Sequence, residues 1–390
     1  MYNFDEVVNR KGTDSSKWDL LKVKGYDEDV MPMWVADMDF KVLPDIHEAL
    51  SKRLEHEIYG YSMTGDDYYS AVIHWMKTRH HWDIEKEWIV TTPGVVSALA
   101  VAVNSYTEPG DAVIIQKPVY YPFDGVIDGN GRKKIENPVI FCEDHYEIDF
   151  EDFEKKIVDN NVKMYILCNP YNPIGKVWTR DELKRIGDIC KKHNVIVAAD
   201  EIHHDFIYPG FEHVPFYEVD PSYKEFSIVA TAPSKTFNLA GMQTSNIMIA
   251  NEEMRKKYQT TKQRSGVNDA NFLGRLACQT AYMKGALWVD ELVAYLKGNL
   301  DFMTKFFEEH LPQIKVIQPQ GLYLVWVDFR SLGMDHEALE KFMLEKAKLW
   351  LDEGYIFGVG GEGFERFNIA LPRQELEKAL IQLEKAVKSL

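Results

Sequence analysis

Only four cysteines (Cys142, Cys168, Cys190 and Cys278) occur in 390 residues, and none has the paired spacing of a disulfide framework or a zinc site. A reducing cytoplasm fits that usage. No uninterrupted apolar run approaches the roughly 20 residues needed to cross a bilayer. Met1 to Glu6 lack the basic start and apolar core of a signal peptide. The expectation is a soluble, cytoplasmic protein with no membrane partner. Positive charge is scarce as well: 45 Lys and Arg stand against 61 Asp and Glu, a formal net charge of −16. Such a surface repels nucleic-acid phosphates and anionic lipid, which excludes a general polyanion binder but leaves room for one small basic pocket. Repeats, low-complexity tracts and Gly/Ser linkers are missing, so any domain boundary must be read from the order of elements.

What is present is a rhythm. Short β-branched runs at 88–91, 112–115, 162–167, 195–199 and 228–230 alternate with amphipathic stretches. These read as buried strands of a mostly parallel sheet in an α/β layer architecture. Residues 181–193 have helical spacing, with Leu183, Ile186 and Ile189 on one face and Thr179 as N-cap. After about residue 285 the texture changes to long helical stretches around a single strand pair, 315–317 and 322–327. An amphipathic helix over 373–390 carries Leu376, Leu380 and Leu383 on one stripe. The expected division is an N-terminal segment (1–45) joining a small α+β domain (285–390), with a large domain (46–284) between them.

Ligands of open parallel sheets sit outside the carboxyl ends of the strands, so the residues just past each run carry the chemistry. After the first run, Thr92-Pro93-Gly94-Val95-Val96-Ser97 offers a glycine and free helix N–H groups, suited to a phosphate and equally to a plain structural turn. After the second, Tyr120 and Tyr121 lie between Pro118 and Pro122, where an aromatic face could stack on a planar ring or simply pack. Cys168-Asn169-Pro170-Tyr171-Asn172-Pro173-Ile174-Gly175 is a rigid, polar double Asn-Pro turn. Asp200 ends a buried strand and needs a cationic or hydrogen-bonding partner. Glu201, His203, His204 and Asp205 follow it as metal ligands would, but adjacent histidines point in different directions and no further ligand cluster accompanies them, so no metal is expected. Lys235 lies past the last run, among small residues and aromatics, where a lysine can lose its proton and attack a carbonyl. Lysine, carboxylate, aromatic face and helix amides are together what a planar, phosphorylated aldehyde with a basic ring nitrogen requires. That cofactor is pyridoxal 5'-phosphate.

In the order and spacing of Asn-Pro-Tyr-Asn-Pro-Ile-Gly (169–175), Asp200 and Ser-Lys-Thr-Phe-Asn-Leu-Ala-Gly (234–241), the chain resembles the fold-type I pyridoxal-phosphate enzymes of the aminotransferase superfamily over essentially its whole length. The resemblance implies a large domain with a mostly parallel seven-stranded sheet sandwiched by helices, plus a smaller α+β domain. It implies that Lys235 carries the cofactor as a Schiff base and shuttles protons, and that Asp200 holds the ring nitrogen protonated. Asn172 then donates to the ring hydroxyl, Tyr120 stacks, Gly94, Val95 and Val96 supply phosphate-binding amides, and Ser234 joins the cofactor site. Arg366, in Glu365-Arg366-Phe367-Asn368, corresponds to the arginine that grips the substrate α-carboxylate, with Tyr121, Asn172 and Trp34 as further substrate contacts. The active site of such enzymes is completed in a homodimer, and Tyr61, in preference to Tyr59, is expected to reach the partner's phosphate.

Two departures from the common pattern stand out. Gln243 occupies the place of a phosphate-binding arginine, so the phosphate should lean on the amides at 94–96 and on Ser and Thr hydroxyls near Lys235. His203 occupies the place of a tyrosine beside the ring. With Met33-Trp34-Val35-Ala36-Asp37-Met38-Asp39-Phe40, these departures resemble the MalY/PatB branch of cystathionine β-lyases and cysteine-S-conjugate β-lyases. The implied reaction is α,β-elimination of a small amino-acid substrate such as L-cystathionine to pyruvate, ammonia and a thiol. Its rivals are amino-acid transamination and a catalytically quiet cofactor protein that binds a transcription regulator.

Overall fold

The computed structural model describes residues 2–390. Its larger sheet has eight strands, in the order Ile89–Thr92, Ser245–Met248, Ser227–Thr231, Ile196–Asp200, Met164–Cys168, Ala112–Lys117, Lys133–Cys142 and His145–Ile148. Pairing is parallel from Ser227–Thr231 through to Lys133–Cys142, and Ser245–Met248 runs antiparallel to both neighbours. The five expected runs are all strands, shifted by one or two residues. They are buried on both faces, which is why they read as unbroken apolar segments. The eighth strand exceeds the expected seven. His145–Ile148 is a hairpin arm that buries only Tyr146 and Ile148, an alternation too short to stand out in the sequence.

Helices cover the sheet as the apolar stripes require. Arg180–Lys192 starts from a capping box in which the Thr179 hydroxyl accepts from the Glu182 amide and the Glu182 carboxylate accepts from the Thr179 amide, while Leu183, Ile186 and Ile189 are buried. Arg373–Val387 buries Leu376, Leu380 and Leu383. The expected strand pair of the C-terminal part is present as Lys315–Val316 and Leu324–Asp328, but it belongs to a four-stranded antiparallel sheet completed by Phe364–Asn368 and Asp352–Glu353. The last of these is two residues long and has no periodicity to read. Among the described residues no helix is long and apolar enough to cross a membrane.

The N-terminal segment bridges the two sheets. Met31–Pro32 pairs in parallel with Leu349–Trp350, beside the smaller sheet. The chain then runs across the carboxyl ends of the larger sheet, where two asparagines clamp it. Asn238 accepts from the Met38 amide at 3.0 Å and donates to the carbonyls of Met38 and Phe40 at 2.9 and 3.1 Å. Asn368 donates to the carbonyls of Val35 and Asp37, both at 2.6 Å. Satisfying these buried backbone groups fixes a segment that has no regular structure of its own.

Candidate active site

Gly94, Val95, Val96, Tyr120, Asn172, Asp200, His203, Ser234 and Lys235 line one cavity, at the carboxyl ends of five strands of the larger sheet. At one end, Gly94 has φ +126° and ψ 157°, a conformation that only glycine adopts readily, and it opens the helix Val95–Tyr106. The first-turn amides of that helix have no intrahelical acceptor and face a ligand by default. Gln243, in the left-handed region at φ +48°, is at the same cavity.

Lys235 sits in the short helical turn Pro233–Thr236, and its Nζ donates to the Ala36 carbonyl at 2.8 Å. Burial, and after it the charge of Arg366, brings its ammonium down to about 8, so the free amine is within reach at neutral pH. Asp200 is the last residue of its strand and takes one hydrogen bond, from the Ile202 amide at 3.1 Å. Burial pushes its carboxyl up to about 7, against the pull of that amide and of Lys235. His203 is buried with Nδ1 unpartnered. Burial, then Lys235 and Arg366, push its proton affinity well below the ordinary value, which leaves a neutral ring.

Tyr120 forms an aromatic wall, with Tyr121 at 5.6 Å between ring centres; burial raises the Tyr120 hydroxyl above its ordinary range, so it stays protonated. Asn172 connects the cavity to a guanidinium: its Oδ1 accepts from Arg366 Nη1 at 2.8 Å. Arg366 also donates to the Trp34 carbonyl at 2.9 Å, and it pairs with Asp352. Trp34 stacks on Trp350 at 4.7 Å, beside this group. Tyr61 is fully exposed on the surface and takes no part in the cavity of its own chain, and Tyr59 lays its ring over Phe272.

Some expectations need correcting. A role in phosphate binding for the hydroxyls near Lys235 holds at most for Ser234, because Thr236 Oγ1 donates to Asp205 Oδ2 at 2.6 Å and is held on the far side of the turn. The sequence cluster Glu201, His203, His204 and Asp205 divides in space. His203 faces the cavity, whereas His204 stacks on His80 at 4.1 Å in a buried network with Asp205 and, through His213, with Glu201. That network does contain two groups of three close potential ligands, drawn from residues far apart in sequence. The Ala36 carbonyl, Tyr323, whose hydroxyl donates to it at 3.0 Å, and Asp352 were missed. The motif around Ala36 was the one signal that could have found the first of these.

A half-buried amine, a buried carboxylate and a row of helix amides thus meet at one cavity, with a guanidinium behind it on Asn172. The family model for class I and II aminotransferases matches residues 28–383. The chain is 41% identical to the cystathionine β-lyase PatB of Bacillus subtilis, over 99% of this chain and all of PatB. It is 34% identical to the protein MalY of Escherichia coli over the whole of both chains. Among solved structures, cystalysin from Treponema denticola, which contains a pyridoxal 5'-phosphate cofactor, superimposes with a TM-score of 0.97 at 42% identity, covering 100% of this chain and 99% of that one. The chain belongs to the class I and II aminotransferase family.

Proposed function

We propose that the chain is a pyridoxal-phosphate-dependent carbon–sulfur β-lyase, acting on L-cystathionine or a related L-cysteine S-conjugate to give pyruvate, ammonia and a thiol. The observation that carries the reading is the meeting of Lys235 and Asp200 in one cavity whose Asn172 is bonded from behind by Arg366. The cavity suits the cofactor on its own chemistry. Asp200 is a buried carboxylate with a single amide donor, and a protonated ring nitrogen would complete it. His203 Nδ1 is a buried polar atom in want of a partner, and the amides after Gly94 suit a phosphate without needing a cation.

Pyridoxal phosphate supplies an aldehyde for the substrate amine and a ring that accepts the electron pair left at Cα. The rest is the work of the chain. Asp200 would hold the proton on the ring nitrogen, Tyr120 would pack on the ring, and residues 94–96 with Ser234 would hold the phosphate. Arg366 and Asn172 orient the α-carboxylate, with Tyr121 and Trp34 beside them. The free amine of Lys235 removes the proton from Cα, after which the Cβ–S bond breaks and the sulfur leaves as a thiolate that takes up a proton.

A homodimer and a cytoplasmic setting belong to the same proposal. Ile58, Tyr61 and Met63 are exposed apolar side chains on one segment, which Arg275 anchors through Ser62 and Thr64. Tyr61 is read as reaching the partner's phosphate; Tyr59 is held back by its hydrogen bond to the Leu54 carbonyl. All four cysteines are free, and three are buried. The division at residues 45 and 284 is carried in the same way, by the pairing of Met31–Pro32 with Leu349–Trp350 and by the helix Ala286–His310 that leads to the smaller sheet. Incubation of the loaded enzyme with L-cystathionine, without any keto acid, tests the reaction. Equal amounts of pyruvate, ammonia and homocysteine over many turnovers are expected, whereas turnover that depends on added keto acid would establish transamination instead.

A further inference from the structure

The guanidinium assigned to the substrate carboxylate already has a carboxylate partner. Asp352 stands directly opposite Arg366 in the antiparallel pairing of Asp352–Glu353 with Phe364–Asn368, and the two side chains form an ion pair with almost no exposure to solvent. Arg366 Nη2 is shared between Asp352 and the Trp34 carbonyl, Nη1 bonds Asn172, and Nε is buried without a partner. On the adjoining rung, whose side chains turn to the other face of the sheet, half-buried Glu353 stands opposite buried Glu365.

We propose that Asp352 is a built-in competitor for the substrate's α-carboxylate, and that docking of that carboxylate on Arg366 makes Asp352 take up a proton from solvent. The proposal rests on the reading of Arg366 given above. Two ionised carboxylates on one buried guanidinium repel each other in a medium that screens poorly, so the second is stable only if the first is neutralised or withdrawn. The backbone cannot carry Asp352 away. Asp352 is followed by Glu353 and Gly354, and a Cβ on Gly354 would lie 2.0 Å from the Gly361 carbonyl oxygen, so the strand is packed in place. An O–H bond on Asp352 is then the only covalent change.

The groups around Asp352 push the same way. Burial already holds its carboxyl above the ordinary range despite the opposing charges of Arg366 and, from the cavity, Lys235. Burial, with acidic neighbours that include Asp352, also raises Glu365 on the facing strand and brings Glu353 on its own strand up to about 7; Glu340, from the helix His336–Glu345, acts on both. Tyr120 and Tyr121 face it from the aromatic turn, with hydroxyls raised by burial and by Asp352.

The test is calorimetric binding of 3-(methylthio)propionate, a carboxylate without a reactive amine, to the loaded enzyme. Titrations in buffers of different ionisation heat count the protons taken up. At about pH 8.5 the wild type should take up close to one proton more per site than D352N, and its Kd should rise with pH more steeply than that of D352N by about a further tenfold per pH unit. D352N, which keeps a hydrogen-bond acceptor for Arg366, should bind the probe about tenfold or more tightly at that pH. Zero uptake by the wild type overturns the proposal without reference to any variant, as does equal or weaker binding by D352N with unchanged uptake. R366Q separates the two readings: if probe binding survives in R366Q, the assignment of Arg366 fails, whereas if R366Q loses the probe and D352N behaves as wild type, only the competition fails.

Discussion

Replacing Asp200 by Asn should stabilise the cofactor-free protein at pH 8, and by less than half as much at pH 5. Burial lifts the Asp200 carboxyl from 3.8 to about 7. Each unit is worth about 1.36 kcal/mol, so ionising this group in the empty fold costs on the order of 4 kcal/mol. Because the folded value lies above the unfolded one, the folded protein binds the extra proton between about pH 4 and 7. Stability therefore falls as pH rises through that window, with the full penalty present above about pH 7. Lys235 adds the mirror image: its proton affinity is lowered to about 8, so its penalty is present below pH 8 and is relieved as pH rises towards 10.5. The combined penalty of these two groups is thus largest between about pH 7 and 8, and the cofactor removes it by engaging both. For 390 residues the entropy of unfolding is about 0.8 kcal/mol per degree, so D200N should raise Tm by roughly 3–5 °C at pH 8. Scanning calorimetry of the cofactor-free proteins at both pH values measures this, and a gain of the same size at pH 5, or a loss at pH 8, refutes the reasoning. In the loaded enzyme the same change should lower turnover by about 100-fold or more, because Asn cannot hold the ring nitrogen protonated.

Other consequences are as specific. Q243R should tighten cofactor binding by about tenfold, since a guanidinium beside the amides at 94–96 would add a charge-assisted contact to the phosphate; absorbance titration of the cofactor-free protein reads this, and no change would place the phosphate elsewhere. N238A removes three hydrogen bonds to residues 38 and 40 at about 1 kcal/mol each and puts Ala at φ +56°. The expected result is a fall in Tm of about 4 °C, with faster amide exchange confined at first to residues 33–40. T236V should disturb the turn that carries Lys235, because it leaves Asp205 without its closest donor; a fall in Tm of about 1–4 °C is expected, and an unchanged Tm would remove Asp205 from the support of that turn.

The sequence discloses groups that end buried runs. Asp200, Asn172 and Lys235 follow apolar segments whose two-sided burial makes them conspicuous, and the polar side chain after each is then conspicuous too. Groups that reach the site from afar leave no such trace. The Ala36 carbonyl meets a lysine 199 positions away and has no side-chain signature. Asp352 resembles any acid in a turn until the two-residue strand sets it opposite Arg366. His80 and His213 join His204 only because a helix and a loop converge on the same buried carboxylates. Asn238 was legible as part of a motif, but its task of clamping the N-terminal segment shows only once that segment is folded across the strand ends.

The central claim is that one cavity, with Lys235 at its heart, holds pyridoxal phosphate and performs the chemistry. Borohydride reduction of the loaded enzyme, followed by digestion and mass spectrometry, tests it most directly. The account expects the reduced cofactor on the peptide containing Ser234-Lys235-Thr236 and on no other lysine; a label on a different lysine, or full activity in K235A, would contradict it.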